Sequence, residues 1–259
     1  MIIIVLPAFN EADAIKHLLG SLIHILGEHF PISHTVIVDD GSTDNTAETI
    51  KSYQGMPIEL IEHGHNKGLG EAVKTGLLSA LRIAKDDDII ITMDADNTHN
   101  PGLITRMAMC IEEGNDVVIA SRYVPGSRVL GLSAYRQVCS FGASLLLRIL
   151  FPIPGVRDYT CGYRAYHAGK LKQAFQLWGD SFISMSGFSC VVDVLLKLRE
   201  LNSIMTEVPM ILRYDLKPGK SKMDVRKTIK EILCLVLRRK FNCFFKYFSF
   251  NRPKDNAGT

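Results

Sequence analysis

The chain has 259 residues, 47% of them hydrophobic and 22% charged, which is the composition of a globular protein large enough to bury a sizeable core. Its net charge is +3, but segment 213–254 has 13 basic and three acidic residues, which leaves a net charge of −7 for the rest. A basic segment on an acidic body indicates an anionic partner, either membrane headgroups or nucleic acid.

Up to residue 121 the chain alternates between short apolar runs and segments with helical periodicity. The apolar runs predict strands at 2–6, at 34–38, at 58–61, from 89 to the carboxylates that follow, and at 116–120. Capping residues and proline positions predict a helix after each of the first four strands. This alternation predicts an α/β fold, a mostly parallel sheet with helices on both faces.

After residue 121 the pattern changes to a loop rich in Gly, Pro and Arg, followed by more widely spaced elements. Helices are predicted at 133–150, 168–178, 188–201 and 224–240, and short strands at 204–212. The last helix is amphipathic, and an aromatic stripe of Phe241, Phe244, Phe245 and Phe248 among basic residues follows it. We expect segment 223–259 to be a helix and tail at a membrane interface; the alternative is a helix packed on the domain, with a solvated charged face.

Cysteine usage and hydropathy narrow the class of protein further. The six cysteines are scattered, without Cys-x-x-Cys spacing, which favours reduced thiols over a disulfide framework or a zinc site. We expect no transmembrane helix, because no run approaches about 18 apolar residues. The apolar N-terminus lacks a basic region and predicts a strand, not a signal peptide.

Two carboxylates, Asp94 and Asp96, follow the fourth predicted strand. Open α/β sheets bind ligands at the carboxyl ends of their strands, and alternate residues of an extended segment point the same way. Both carboxylates can therefore hold one ion, and hard oxygen ligands suit Mg²⁺ or Mn²⁺ shared with phosphates. The alternative is a solvated turn.

Polar residues also follow the other strands of the predicted sheet, which favours a site for an elongated polar ligand such as a nucleotide. Two standard phosphate motifs do not occur. No Gly-x-x-x-x-Gly-Lys-Ser/Thr is found, and Gly68-Leu69-Gly70 lacks the third glycine of the dinucleotide fingerprint because Val73 occupies that place. A P-loop enzyme or a dehydrogenase is therefore disfavoured.

Several motifs of the chain resemble those of the inverting GT-A glycosyltransferases: Val-Leu-Pro-Ala-Phe-Asn-Glu at 5–11, Val-Asp-Asp-Gly-Ser-Thr-Asp at 38–44, Asn-Lys-Gly-Leu-Gly at 66–70 and Asp-Ala-Asp at 94–96. Later motifs at 120–123, 158–164 and 207–209, and Arg213 with 219–222, are similar to those of the polyprenyl-phosphate hexosyltransferases, which include dolichol-phosphate mannose synthases. The resemblance covers about residues 2–240.

The resemblance implies a GT-A (Rossmann-like) catalytic domain at 1–222, with a nucleotide-binding half at 1–121 and an acceptor half at 122–222. Its catalytic residues would be Asp94, Asp96, Arg122 and Arg213. The nucleotide would contact Pro7, Ala8, Asn10, Glu11, Asp39, Asp40, Lys67 and Gly68. The acceptor phosphate would contact Arg122, Arg136 and Ser140. Mg²⁺ or Mn²⁺ would bind Asp94 and Asp96, with Thr98 where some members have a third ligand, glutamine.

The implied reaction moves a hexose, first of all mannose from GDP-mannose, with inversion onto a polyprenyl phosphate of the dolichyl or undecaprenyl type. A lipid phosphate is already anionic at pH 7, so it needs no general base, and the metal neutralises the leaving diphosphate. We therefore expect a peripheral enzyme on the cytoplasmic face of a membrane, with no nucleic-acid partner.

Three alternatives stay open from the sequence. UDP-glucose or UDP-N-acetylglucosamine could be the donor. A glycan-elongating transferase would need a general base for its hydroxyl acceptor; no Glu-Asp dipeptide occurs, but Asp158 and Asp193 remain possible bases. From a different class, the chain could be a catalytically silent adaptor that binds membrane or nucleic acid through its basic segment.

Overall fold

The structure, a computed structural model, describes residues 1–30, 33–217 and 224–250, and gives only the course of the helix for 241–250. The strands are β1 (Ile2–Ala8), β2 (Ser33–Asp39), β3 (Ile58–Glu62), β4 (Ile89–Thr92), β5 (Val117–Ser121), β6 (Arg128–Leu130), β7 (Arg164–His167), β8 (Met205–Pro209) and β9 (Ile211–Arg213). The helices are α1 (Ala12–His29), α2 (Thr46–Lys51), α3 (Leu69–Ile83), α4 (Leu103–Glu112), α5 (Ala134–Leu150), α6 (Ala168–Trp178), α7 (Cys190–Glu200) and α8 (Val225–Phe250).

A seven-stranded sheet in the order β3-β2-β1-β4-β7-β5-β8 forms the centre of the molecule. Its pairs are parallel except for β7, which runs antiparallel to both β4 and β5. The side chains of β1 from Ile2 to Leu6 are at most 3% exposed. Strands covered on both faces read as continuous apolar runs, which is why the sequence pattern located them. The prediction of a mostly parallel α/β sheet is confirmed.

Strand β7 determines how the second half of the chain meets the first. Its register sets Arg164 beside Thr92 of β4. The buried Arg164 guanidinium donates to the carbonyls of Tyr159 and Val191, at 2.9 and 2.7 Å. The Thr92 hydroxyl donates to the Gly162 carbonyl, at 2.7 Å. The loop before β7 is thereby held against the carboxyl end of β4, where Asp94 and Asp96 lie.

A second sheet of two strands joins β6, from the Gly-, Pro- and Arg-rich loop after residue 121, to β9. Strand β6 pairs with β9 in parallel, with Val129 opposite Leu212. A glycine follows β6, Gly131, with φ +77°, and a Cβ there would lie 2.5 Å from the Asp215 amide nitrogen. Because L-residues rarely adopt this conformation and no space exists for a side chain, glycine is required at this approach.

Helix α8 packs on the body of the protein through its first half. Ile232, Leu235 and Val236 are buried, and the Arg239 guanidinium pairs with Asp193 and Glu200, at 2.9 and 2.6 Å. The helix continues to Phe250, beyond the predicted end at 240. The phenylalanine side chains after 240, the tail 251–259 and the Gly-Lys-Ser-Lys motif at 219–222 lie outside the described residues.

Within the part of the chain that the structure describes, no helix combines the length and the apolar character needed to cross a bilayer. The packed face of α8 agrees with the alternative of a helix docked on the domain. Contact of its other face with a membrane remains a prediction and is considered under the proposed function.

Gly70, in the first turn of α3, packs directly against the backbone of the loop before α7, and a substitution tests this contact. Its amide donates to the Ser186 carbonyl at 2.8 Å, and a Cβ would lie 1.8 Å from the Met185 carbonyl oxygen. Gly70→Ala should therefore lower the free energy of unfolding in urea by about 1–3 kcal/mol, because backbone must move. Gly142→Ala in α5, where a Cβ meets nothing within 4 Å, should be neutral or add up to about 1 kcal/mol. Wild-type stability of Gly70→Ala would contradict this account.

Candidate active site

A cleft of about 550 Å³ opens at the carboxyl ends of β1, β2 and β4. The structure places many of the predicted nucleotide-binding residues along it: Pro7, Ala8, Glu11, Asp40, Lys67 and Gly68. Asp94 and Asp96 line the same cleft, and the first turn of α8 and the loop before α7 form its other side. The separate polar loops of the sequence therefore meet at one edge of the sheet.

Asp40 holds the loop that leads into α3. Its Oδ1 accepts from the Lys67 amide at 2.9 Å, and its Oδ2 accepts from the Gly68 amide at 2.8 Å. The His63 ring pairs with the same carboxylate at 2.7 Å. Gly68 has φ +93°, a conformation that favours glycine. Asp40 thus fixes the backbone from which the Lys67 side chain reaches the cleft.

Asp39 and Asn10 are not among the residues that line this cleft. The Asp39 carboxylate accepts from the Ser42 amide at 3.0 Å. The Asn10 side-chain oxygen accepts from the Thr43 amide at 2.7 Å, and the Asn10 amide donates to the Ser42 hydroxyl at 2.9 Å. These contacts connect the loops after β1 and β2. A direct contact of Asp39 or Asn10 with the nucleotide stays a prediction.

Asp96 has partners on both of its carboxylate oxygens. Oδ1 accepts from the Thr98 amide at 3.1 Å and from the Thr98 hydroxyl at 2.7 Å. Oδ2 accepts from the Lys217 ammonium at 2.5 Å. The Thr98 hydroxyl therefore orients Asp96, and its predicted role as a metal ligand remains untested. Asp94 is more open: its side chain is 39% exposed, beside the His99 ring.

The charges of the two aspartates are balanced differently. Asp94 is only partly exposed, and the loss of water around its carboxylate raises its pKa; the neighbouring Asp96 charge adds to the rise, although His99, Lys217 and Arg122 oppose it. Burial also acts against the charge of Asp96, but Lys217 and His99 outweigh it and lower the pKa of that carboxyl. Asp94 therefore has an undercompensated charge, which a nearby cation would stabilise.

This arrangement fits a divalent cation bound partly by its substrate. Within the described residues, no group of three or more His, Cys, Asp and Glu side chains is gathered as a metal site. Mg²⁺ is commonly bound by one or two carboxylates together with substrate phosphates and waters. Asp94 and Asp96 can supply the carboxylates, and the adjoining cleft has room for a diphosphate.

A second, mostly apolar cavity of about 130 Å³ adjoins the first. The three predicted acceptor-phosphate residues, Arg122, Arg136 and Ser140, line it together with Asp94. The two cavities share the lining residues Leu69, Asp94, Phe188, Tyr214 and Thr228. The structure thus brings the predicted acceptor residues to the side of Asp94 that lies away from the nucleotide loops.

A buried ion pair positions Arg122. Its Nε and Nη2 donate to the two carboxylate oxygens of Asp158, both at 2.7 Å, and Nη2 also donates to the Thr160 hydroxyl at 2.6 Å. Burial works against the Asp158 charge, but Arg122 and backbone amides outweigh it and lower the pKa of that carboxyl. Asp158 is thereby kept ionised and fully bonded, and it is poorly suited to accept a proton from a substrate.

Asp193, the other possible base, is also engaged. Its carboxylate pairs with Lys197 at 2.6 Å and with Arg239 at 2.9 Å. Burial opposes the charge, but these two cations lower the pKa of Asp193. Asp193 is not among the residues that line either cavity. Neither carboxylate therefore has the features of a general base.

Arg213 is not brought into either cavity. Its guanidinium forms a bidentate pair with the nearby Asp215, at 2.8 and 2.9 Å, and both side chains are 40% exposed. Lys217, slightly further along the chain, supplies the cation at Asp96 instead. Sequence reasoning missed Lys217, Phe188 and Tyr214, because none of them belongs to a recognised motif. A catalytic role for Arg213 remains a prediction.

The model of Glycosyl transferase family 2 matches residues 3–175. The chain belongs to glycosyl transferase family 2. It is 29% identical over 225 residues to an undecaprenyl-phosphate mannosyltransferase of Micrococcus luteus. The alignment covers 86% of this chain and 87% of that protein. It is 30% identical over 238 residues to a dolichol-phosphate mannosyltransferase of Pyrococcus furiosus, over 91% of this chain and 62% of that protein.

The fold of this family 2 glycosyltransferase is also found in a solved structure. Glucosyl-3-phosphoglycerate synthase from Mycobacterium tuberculosis, in complex with Mn²⁺, UDP and phosphoglyceric acid, aligns with a TM-score of 0.63 at 20% identity. The alignment covers 91% of this chain and 78% of that one. This similarity confirms the expected GT-A fold, and the family match confirms the expected glycosyltransferase class.

The Arg122–Asp158 pair of this glycosyltransferase gives a stability prediction. Asp158→Asn leaves the buried guanidinium without a counter-ion, so the free energy of unfolding at neutral pH should fall by about 3–5 kcal/mol. Urea titration followed by circular dichroism measures it. Asp215→Asn removes the carboxylate partner of the exposed Arg213 and should have a much smaller effect. Equal stability of the two variants would contradict the importance of the buried pair.

Proposed function

We propose that this glycosyltransferase moves a hexose, with mannose from GDP-mannose as the first candidate, onto a polyprenyl phosphate with inversion. The observation that supports it best is the apolar cavity lined by Arg122, Arg136 and Ser140, which shares Asp94 with the nucleotide cleft. The names of the two relatives, mannosyltransferases acting on undecaprenyl phosphate and dolichol phosphate, agree with mannose and with a lipid phosphate.

The cavity has a cationic part and an apolar part, which match the phosphate and the hydrocarbon chain of a lipid phosphate. Arg122 and Arg136 line this cavity together with Asp94. Nε and Nη2 of Arg122 are bonded to Asp158, which leaves Nη1 to donate to a phosphate. The other lining residues are largely apolar, and α5 and α8 contribute Ala143, Val225, Ile229 and Ile232. An acceptor with a charged head and a hydrocarbon chain matches both parts.

The engagement of Asp158 and Asp193 also favours a phosphate acceptor. A sugar hydroxyl must lose a proton during attack and needs a general base. A phosphate oxygen is already anionic, so its attack on the anomeric carbon needs positioning and charge stabilisation only. This disfavours a glycan-elongating transferase. The assembled clefts disfavour a catalytically silent adaptor.

Asp94 and Asp96 would hold Mg²⁺ or Mn²⁺, which when bound supplies positive charge next to the leaving diphosphate. Glucosyl-3-phosphoglycerate synthase from Mycobacterium tuberculosis, whose fold is similar, has been crystallised with Mn²⁺ and with Mg²⁺. The chain's own residues have complementary tasks: Lys67 would bind the donor from the nucleotide side, and Arg122 and Arg136 would orient the acceptor oxygen toward the sugar.

We further propose that α5 and α8, which pack against each other, form the membrane-facing surface of a peripheral enzyme on the cytoplasmic face. This platform is defined by exposed apolar residues of both helices: Tyr135, Val138, Phe141, Leu145, Leu146, Ile149, Leu233 and Leu237. Exposed apolar patches of this kind mark interaction sites. Arg226, Lys230 and Arg238 are also exposed on α8 and would attract anionic headgroups. The acceptor cavity lies between the two helices, where a lipid can enter from the bilayer.

A transfer assay tests the function. Purified protein, Mn²⁺, undecaprenyl phosphate and radiolabelled GDP-mannose, UDP-glucose or UDP-N-acetylglucosamine should give a lipid-linked sugar with one donor, and we expect GDP-mannose. Asp94→Ala and Asp96→Ala should each reduce the rate at least about a hundredfold, because the leaving charge loses its stabilisation.

Two controls make this assay decisive. Asp180→Ala removes an exposed carboxylate outside the clefts and should retain wild-type activity. Free undecaprenol in place of its phosphate should give no product, since the alcohol would require a base. Transfer to the alcohol would contradict the assignment of a phosphate acceptor. Full activity of Asp94→Ala or Asp96→Ala would contradict the assignment of the metal site.

Vesicle binding tests the platform. Val138 and Ile149 are 70% and 69% exposed on α5, so Val138→Ser with Ile149→Ser should leave folding intact. Co-sedimentation with anionic vesicles should weaken by about tenfold or more, because two apolar side chains no longer enter the bilayer. Met109→Ser with Leu177→Ser removes exposed apolar groups from α4 and α6 and should bind normally. Unchanged binding of the α5 variant would place the contact surface elsewhere.

A further inference from the structure

Lys217 lies inside the nucleotide cleft, beside the predicted metal site. Its ammonium nitrogen is 2.5 Å from Asp96 Oδ2 and 3.9 Å from Glu11 Oε1, and its side chain is 8% exposed. The two carboxylates that face it belong to Asp96, a predicted metal ligand, and to Glu11, a predicted nucleotide contact. A single positive charge thus sits next to the position of a doubly charged ion.

Lys217 and a divalent cation compete for the negative charge of Asp96. Oδ1 accepts from the amide and hydroxyl of Thr98, and Oδ2 accepts from Lys217. A carboxylate oxygen has two lone pairs, so its contact with an ammonium does not by itself block a metal ion, but the two like charges repel each other strongly in a partly desolvated site. Binding of a divalent ion therefore favours withdrawal of the ammonium, and the Lys217–Asp96 contact opposes metal binding.

The backbone that carries Lys217 is held independently of its side chain. The Arg213 amide donates to the Thr98 carbonyl at 3.0 Å, and the Lys217 amide donates to the Tyr214 carbonyl at 3.3 Å. Gly131 packs against the backbone of this turn with no space for a Cβ. Displacement of the ammonium therefore requires only rotation of a flexible lysine side chain around an anchored turn.

We propose that Lys217 is an internal competitor of the divalent cation and sets the affinity of the Asp94–Asp96 pair for metal. It neutralises Asp96 until Mg²⁺ or Mn²⁺ displaces its ammonium. The proposal rests on the metal-assisted transfer described above, but it is tested by metal binding alone, without donor or lipid. The alternative is that the Lys217–Asp96 contact only tethers the turn.

The test is Mn²⁺ titration of the full chain by electron paramagnetic resonance or calorimetry. Lys217→Met keeps the length of the side chain and removes its charge, so the dissociation constant for Mn²⁺ should fall by about tenfold or more. Lys217→Arg keeps the charge and should bind Mn²⁺ as weakly as the wild type. A purely tethering contact predicts an unchanged or weakened affinity in Lys217→Met, together with lower stability.

Lys67→Met is the matched control, because Lys67 lines the same cleft and its ammonium forms no ion pair with Asp94 or Asp96. Its Mn²⁺ affinity should stay within about threefold of the wild type. If Lys217→Met and Lys67→Met lowered the dissociation constant for Mn²⁺ equally, the effect would come from the total charge of the cleft, and the proposal would be overturned. Absence of Mn²⁺ binding in wild type and Lys217→Met would overturn it as well. Lys217→Gln serves as the neutral variant if Lys217→Met does not fold. Failure of sugar transfer with normal Mn²⁺ titrations would count against the proposed function only.

Discussion

The buried pair between Arg122 and Asp158 is the contact on which the second half of the chain, from residue 122 onward, depends. Two charges removed from water are costly, and such a pair persists only when geometry and further hydrogen bonds compensate. Here the guanidinium meets both carboxylate oxygens, and the amides of Thr160 and Cys161 complete the carboxylate's bonding. The pair joins the end of β5 to the loop before β7. It therefore fixes an arginine next to Asp94 without leaving its counter-ion available for proton transfer.

The loop before α7 connects elements that are far apart in the sequence. The Ser186 carbonyl accepts from the Gly70 amide at the start of α3, and the buried Ser189 hydroxyl donates to Glu231 of α8 at 2.9 Å. Phe188, between these contacts, lines both cavities. The helix proposed to meet the membrane and the loop proposed to meet the nucleotide are therefore attached to one short segment. A displacement of α8 on the body of the protein would therefore be transmitted through this segment to the nucleotide cleft.

Much of the fold could be predicted because its signals are local. The run from Ile2 to Leu6 is apolar since β1 is covered on both faces, and the carboxylates after β4 follow from where that strand ends. Strand β7 has no such local signal, because its place depends on long-range pairing with β4 and β5 and it buries a charged Arg164. Within the site, motifs pointed to Arg213, but a 3₁₀ turn at 214–216 pairs it with Asp215 and turns Lys217 inward. The turn decides whether Arg213 or Lys217 enters the cleft. The spacing of apolar residues in the sequence does not predict such a turn.

The start of α3 differs from the phosphate-binding helix of dinucleotide folds. There, free amides and the helix dipole receive the anion. Here, the amides of Lys67 and Gly68 donate to Asp40, and the amide of Gly70 donates to Ser186. These three donors are already satisfied within the protein, so a diphosphate bound in this cleft as proposed would be held more by the cationic side chains that line it than by these amides. Dissolved salt screens the attraction between exposed charges. Binding of the proposed donor would therefore weaken as the ionic strength of the surrounding solution rises.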